Sequence, residues 1–285
     1  MSDERIDELQ SRYLAGRDDK QALLRLIDEA EVGEHVYNSN AIENSTLTLE
    51  ETDKILHQID LDRYISEREL FEAKNLARVV EYIRHKAPAE DLSLDLIRLL
   101  HKMLMSNIRD DIAGRFRVDG EWVRVGSHIA ADPQHITSLL RDALITYFSS
   151  TREPIVRRIA RFHLSFEHVH PFVDGNGRIG RVLNNFLLTR DRHVPINIKF
   201  LDRQQYYDAF KEFDTKGQTK IMETIIRNTL CSAYHKRLAY LDGKQIIPLK
   251  DYAKQSSQSH QNLINKAKRQ TIEAFWEKGM WKIGV

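Results

Sequence analysis

A single cysteine, Cys231, excludes an internal disulfide from this 285-residue chain and fits a reducing cytoplasm. It lacks the local signature of a nucleophile and reads as a small buried side chain. No run of eighteen apolar residues occurs, which argues against a membrane-spanning helix. The start, Met1-Ser2-Asp3-Glu4-Arg5, is charged with no apolar stretch behind it, so no signal peptide is expected and the predicted location is cytoplasmic. The twelve histidines show no zinc-ligand spacing, and no internal repeat or low-complexity stretch is present. What remains, 41% hydrophobic and 30% charged residues, is ordinary for a globular protein of one substantial domain and a smaller one.

The chemistry concentrates in His170-Pro171-Phe172-Val173-Asp174-Gly175-Asn176-Gly177-Arg178-Ile179-Gly180-Arg181. Upstream, Ile155, Ile159, Phe162, Phe166 and Val169 recur at steps of four and three, one buried helix face opened by Pro154. Downstream, Ile179, Val182, Leu183, Phe186 and Leu187 mark a second amphipathic helix starting near Arg178. The run is therefore a helix-loop-helix. Its glycines let the backbone approach a ligand, and the new helix offers unpaired N–H groups to an anion. Asp174 is a hard oxygen ligand for Mg2+, and Arg178 and Arg181 lie three apart on one helix face, where a polyphosphate meets both. His170, neutral near pH 7, suits proton removal from a hydroxyl. A glycine-rich turn with an incidental histidine is the bland alternative; a base, a carboxylate and two arginines at these spacings argue against it.

All twelve residues agree with HPFx(D/E)GN(G/K)RxxR, and the chain on that ground resembles the Fic family of nucleotidyltransferases. Ala113-Gly114-Arg115-Phe116-Arg117 and Asp202-Arg203-Gln204-Gln205-Tyr206-Tyr207 are similar to segments flanking the family's motif, and the resemblance spans about Gly33 to Tyr234. It implies transfer of AMP from ATP to a Ser, Thr or Tyr hydroxyl of a target protein. It makes His170 the general base, Asp174 the Mg2+ ligand, and Asn176 with the Gly175–Gly177 backbone the stabiliser of the α-phosphoryl group. Arg178 would meet the β-phosphate and Arg181 the γ-phosphate, with Phe172 in the core. Members with Lys in place of Gly177 include ones that phosphorylate, so Gly177 favours adenylylation.

Ser39-Asn40-Ala41-Ile42-Glu43-Asn44 fits the (S/T)xxxE(G/N) inhibitory helix of many Fic proteins, which in one class lies N-terminal to the core. The resemblance implies that Glu43 reaches Arg181 and occupies the γ-phosphate position. Thr48-Leu49-Glu50-Glu51 is a capping box for a helix burying Leu49, Ile55, Leu56 and Ile59. From Phe116 to Val125, two β-branched or aromatic stretches around Asp119-Gly120 predict a hairpin. By resemblance it is the flap, with Val118, Trp122 and Val123 docking the target backbone as an added strand.

From Lys244 to Val285 the net charge is +5, against −4 for the remainder. Pro248 to Ala253 and His260 to Gln270 read as helices, and Ile272 to Ile283 as strands turning at Lys278-Gly279. This segment resembles the excisionase-like winged helix, although Glu273 stands where that family often has Pro. The resemblance implies either DNA contact through Lys266, Lys268, Arg269 and Lys282, or protein docking including a homodimer.

The expectation is a mainly α fold: N-terminal helices with the inhibitory motif (residues 1–60), a helical Fic core with one β-hairpin flap (61–242) and a small winged-helix-like domain (245–285). The leading function is an autoinhibited, Mg2+-dependent protein adenylyltransferase that uses ATP. A hydrolase removing AMP, with Glu43 positioning water, uses the same loop; a DNA-binding regulator with a nucleotide-sensing site is the other alternative, though sensing needs no base at His170.

Overall fold

The computed structural model describes residues 4–125 and 128–285. Met1 to Asp3, on which the expectation of no signal peptide partly rests, lie outside the described residues. In chain order the helices begin with α1 (Glu4–Gly16), α2 (Gln21–Ile42), α3 (Leu49–Leu56), α4 (Glu67–Lys86) and α5 (Leu94–Met105). Strands β1 (Arg124–Val125) and β2 (His128–Ile129) precede α6 (Ile136–Ser149), α7 (Ile155–Val169), α8 (Asn176–Arg190), α9 (Arg203–Lys216) and α10 (Lys220–Leu241). The C-terminal segment contributes β3 (Ile246–Pro248), α11 (Leu249–Gln255), α12 (His260–Lys268), β4 (Ala274–Glu277) and β5 (Met280–Gly284). The fold is mainly α, as the periodicities indicated, and among the described residues no helix is long and apolar enough to cross a membrane.

The chain divides into two compact units. One takes in Val32–His193 and Ile198–Ile225. In it, α7 packs against α6, α8 and α9, while α4 packs against α3, α5 and α8. The expected face of α7, from Ile155 to Val169, is buried throughout, and so are Ile179, Val182, Leu183, Phe186 and Leu187 of α8. Side chains of this size contribute about 1.5–3 kcal/mol each when fully buried, so these two faces hold the loop between them in place. The capping box at Thr48 forms with both bonds: Thr48 Oγ1 accepts from the Glu51 N–H at 3.2 Å, and the Thr48 N–H donates to Glu51 Oε2 at 2.8 Å. Helix α3 stops at Leu56, with Gln58 in the left-handed region (φ 58°), so Ile59 lies beyond its end and is exposed rather than buried.

The hairpin is displaced from its expected position. Strands pair at Arg124↔Ile129 and Val125↔His128, whereas Asp119-Gly120 lies in a closed loop. Glu121 explains the difference. Its carboxylate takes two hydrogen bonds from Arg115 (2.7 and 2.8 Å) and one from the Val118 N–H (2.9 Å), which folds the segment back before a ladder can start.

The second unit comprises Met1–Glu31, Val194–Asn197 and Ile226–Val285. The expected boundary at Asp242 and Gly243 thus falls inside a unit, and residues 245–285 share their unit with Met1–Glu31 and the C-terminal part of α10. Ion pairs account for this grouping: buried Lys236 bridges Glu31 and Glu277 at 3.1 and 2.8 Å, and buried Arg237 bonds Asp28 and Glu31 at 2.6 and 2.7 Å. The last forty residues form a three-stranded antiparallel sheet, order β3-β5-β4, with α11 and α12. Leu249, Ala253, Leu263, Ala267, Ala274, Trp281 and Ile283 make its core. The β4–β5 turn is at Lys278-Gly279 as expected, both with positive φ (49° and 74°), a two-residue turn matched to strand twist. Lys282 Nζ pairs with Glu277 Oε2 at 2.7 Å, whereas Lys268 and Arg269 are exposed.

Candidate active site

The loop starts where α7 is forced to stop. His170 caps the helix in the left-handed conformation (φ 49°, ψ 63°), and Pro171 has no N–H with which to continue it. A β-carbon residue held there costs of order 1 kcal/mol, so neighbours must fix it. Arg117, 2% exposed, does so with four bonds: Nε to the His170 carbonyl (2.8 Å), Nη1 to that of Glu121 (2.8 Å), and Nη2 to those of Ala131 (2.7 Å) and Val169 (3.1 Å). Its own N–H donates to the Pro171 carbonyl at 2.8 Å.

His170 Nδ1 lies 3.3 Å from the Glu167 carbonyl. A neutral ring donating there leaves Nε2 as the basic nitrogen. Burial, reinforced by the Arg117 charge, pushes its pKa down to about 4, against the Glu167 hydrogen bond that raises it. The ring is therefore unprotonated at neutral pH. Since only the neutral ring accepts a proton, any reaction that uses His170 as a base is lost as pH falls through this value. Transfer is expected to be level from about pH 7 down to about 5 and to fall about tenfold per unit below 4. Rates measured beside a circular-dichroism check of folding test this; an acid limb near 6.5 would mean a solvated ring.

Helix α8 begins after Gly175 (φ 82°), where a β-carbon would come within 3.2 Å of Met105 Sδ and 3.3 Å of Leu104. Its first N–H groups have no intrahelical acceptor and face the loop with the positive end of the dipole. Asn176 behaves differently from expectation. Its Oδ1 accepts from the Phe172 N–H at 2.9 Å and its Nδ2 donates to the Phe172 carbonyl at 2.8 Å, so the side chain clasps the loop instead of facing a ligand. Phe172 is fully buried and stacks on His101 at 3.6 Å, in the core as expected.

Asp174 sits among cations. Its Oδ2 accepts from Arg68 Nη2 at 2.7 Å, and its Oδ1 from the Gly175 N–H at 2.6 Å and Arg178 Nη2 at 3.2 Å. Burial alone would raise its pKa; the charges of Arg178 and Arg68 outweigh that and hold the carboxyl below its usual range. An ionised carboxylate whose partner Arg68 is half exposed suits a Mg2+ that takes one or two protein oxygens plus phosphate oxygens. Arg178, at 3% exposure, pairs with Glu72 Oε1 (3.0 Å) and Asp174, because α4 brings Glu72 against α8. It holds the carboxylates in register and presents no face to a phosphate in this state.

Arg181 meets the inhibitory segment. Its Nε donates to Ser39 Oγ (3.0 Å) and its Nη2 to the Ser39 carbonyl (2.8 Å) and Glu43 Oε1 (2.9 Å). Tyr206 stands behind it, with its hydroxyl 3.3 Å from Arg181 Nη1 and 2.7 Å from His163 Nε2. A second carboxyl, Glu167, lies close by, but burial, aided by the Glu43 charge, pushes its pKa up to about 8. It is largely uncharged at pH 7, and the carboxyl that bonds Arg181 is that of Glu43. A β-carbon at Gly177 would lie 2.2 Å from Glu43 Oε1, so the carboxylate occupies the space above the first turn of α8 that glycine leaves open.

Several contributors carry no local sequence signal. His101 accepts from the Gly114 N–H at Nδ1 (2.9 Å) and donates from Nε2 to the Asp174 carbonyl (2.9 Å), tying the loop to α5. Arg68, Glu72, Arg117 and Tyr206 were likewise not singled out as site residues. Of the expected docking residues, Val118 and Trp122 are exposed at 51% and 56%, and Val123 is half-buried beside β1. Cys231 is buried and its thiol is pushed up to about 11, which removes it as a nucleophile.

The Fic/DOC family description matches residues 91–188. The protein adenylyltransferase Fic of Drosophila willistoni is 32% identical over 222 residues, 72% of this chain and 44% of that protein. Its counterpart in Drosophila melanogaster is 30% identical over 298 residues, 96% of this chain and 58% of that protein. The chain spans about half the length of the curated relatives it matches. A Fic-domain-containing signaling protein of Bacteroides thetaiotaomicron superposes with a TM-score of 0.75 at 22% identity, over 86% of this chain and 98% of that one. Fic-1 of C. elegans gives 0.71 at 22% identity, over 84% and 72%. These two structures share the fold.

Proposed function

Since this chain carries a Fic/DOC-family domain over residues 91–188, we propose that it is a protein adenylyltransferase, moving AMP from ATP to a Ser, Thr or Tyr hydroxyl of a target protein, with Glu43 restraining the reaction. The observation that carries this reading is the meeting, in one loop, of a neutral imidazole, an ionised carboxylate and an open helix N-terminus.

In the proposed reaction the target oxygen forms a bond to the α-phosphorus while the bond to the pyrophosphate oxygen breaks. The hydroxyl proton goes to His170 Nε2, whose other nitrogen is held by Glu167. The N–H groups opening α8 hold the charge gathering on the α-phosphoryl oxygens, aimed there before the reaction begins. Mg2+ at Asp174, when bound, offsets phosphate charge. Arg181 receives the γ-phosphate once Glu43 leaves it. Trp122 and Val118 offer an exposed apolar edge for the target. DNA contact at the C-terminal helices rests on Lys266, Lys268 and Arg269, because Glu277 holds Lys282.

Incubation with ATP labelled on the α-phosphate, Mg2+ and a cell lysate is expected to label protein, and ATP labelled on the γ-phosphate is not. Label from the γ-position would mean phosphorylation. Release of AMP from a modified protein without any labelling would favour the hydrolase.

A further inference from the structure

Three residues remote in sequence converge beside the hairpin. His128 on β2 stacks on His168 of α7, with ring centroids 4.0 Å apart and planes at 27°. His168 Nδ1 lies 2.8 Å from Asp214 Oδ1 on α9, and one ligand atom from each of the three residues lies within 4.8 Å of the others. His128 Nε2 is also 3.0 Å from the His168 carbonyl. Separations of 40 and 46 residues hide this cluster from any spacing rule, which is why no histidine pattern emerged from the sequence.

Two imidazoles and one carboxylate are the donor set of Zn2+ in open sites, which leave a position for water. Ligands about 2.0–2.2 Å from a common ion stand roughly 3.3 Å apart, so rotations of exposed side chains close the site. The His168 and Asp214 side chains are 43% and 23% exposed, and an ion enters without opening the core. Mg2+ prefers oxygen donors and its water shell, which separates this cluster from Asp174.

We infer that His128, His168 and Asp214 form a binding site for Zn2+ or a cation of the same class, and that the ion pins the β1–β2 hairpin to α7. The anchor point on α7 is two residues from His170. Occupancy thus fixes the edge expected to receive the target. The binding itself is independent of the adenylyltransferase reading, so either fails without the other.

The test uses the full chain, untagged and stripped of metal, titrated with Co2+ as a visible probe and then with Zn2+ as competitor. One equivalent of Co2+ is expected to give absorption bands that Zn2+ removes and millimolar Mg2+ leaves. His128→Ala, His168→Ala and Asp214→Asn should each weaken Zn2+ binding by more than about tenfold, since loss of even an outer-shell partner costs 10–100-fold. His260→Ala, on exposed α12, is the control. Equal affinity in wild type and the His128→Ala/His168→Ala double variant, with unchanged circular dichroism, overturns the site. Trypsin cleavage at exposed Arg124 reports the pinning: Zn2+ should slow it in wild type and leave the double variant unaffected, and binding without protection overturns the pinning.

Discussion

His170→Ala is expected to slow AMP transfer by about 10²- to 10⁴-fold while leaving ATP affinity within a few-fold of wild type. The asymmetry follows from the position of the ring. Its Nδ1 is committed to the Glu167 carbonyl, and it sits at the end of α7, ahead of the α8 N-terminus that would hold the phosphates. Removing it takes away the proton acceptor and little of the phosphate cradle. Arg117 fixes the backbone of residue 170 through carbonyls, so the loop keeps its shape without the imidazole. Single-turnover labelling together with equilibrium ATP binding separates the two quantities. Undiminished labelling would remove His170 from the chemistry, and parallel loss of binding would mean that the loop had collapsed.

The second large effect has the opposite sign: Glu43→Gly is expected to raise labelling about 5- to 150-fold, the range of a coupling near 1–3 kcal/mol. Magnitude decides whether one carboxylate is able to gate an enzyme. A solvent-exposed ion pair is worth about 0–1 kcal/mol and would be a poor lock. Here the Glu43 side chain is 37% exposed but that of Arg181 only 8%, and its other donors are engaged by Ser39 and Tyr206, so the guanidinium exchanges one anion for another instead of anion for water. Glu43 also lies over the first turn of α8, where a helix favours negative charge. The carboxylate therefore borrows both of the features that suit a terminal phosphate. Arg181→Ala should not reproduce the activation, because it deletes the phosphate's partner with the lock. The informative set is wild type, Glu43→Gly and Glu43→Gly with His170→Ala: the second should be fastest and the third silent. A Glu43→Gly protein no faster than wild type would sink the restraint. A slower one, beside a wild type that strips AMP from protein, would assign Glu43 to hydrolysis.

The parts of this site legible in the sequence are those whose cause is local. Apolar steps of three and four set the buried faces of α7 and α8, and the loop between them, residues 170–175, follows from their ends. The pairing of Glu43 with Arg181 was legible only because a motif predicted what a carboxylate there would meet. The misread parts have distant causes. Asp119-Gly120 is a strong turn signal, yet Glu121 closes the segment onto Arg115 and moves the strands to Arg124 and Ile129. Strand β3 passed unnoticed because its partner β5 lies more than thirty residues on. Arg178 and Asn176 looked like ligand-binding groups by type. Their commitments to Glu72 and to the Phe172 backbone depend on how α4 packs and how the loop closes.

The grip of Arg117 on four carbonyls sets a gauge length. The same planar group touches Glu121 and Ala131, on either side of the hairpin, and Val169 and His170, at the end of α7. A guanidinium is rigid and its donors have fixed directions, whereas a lysine ammonium on the same stem would let the spacing stretch. Carbonyl oxygens are the same whatever side chains surround them. The span from hairpin to imidazole is thereby insulated from substitutions along the hairpin, so that side chains on the exposed edge at Trp122 and Ile129 are exchangeable without changing the distance to His170.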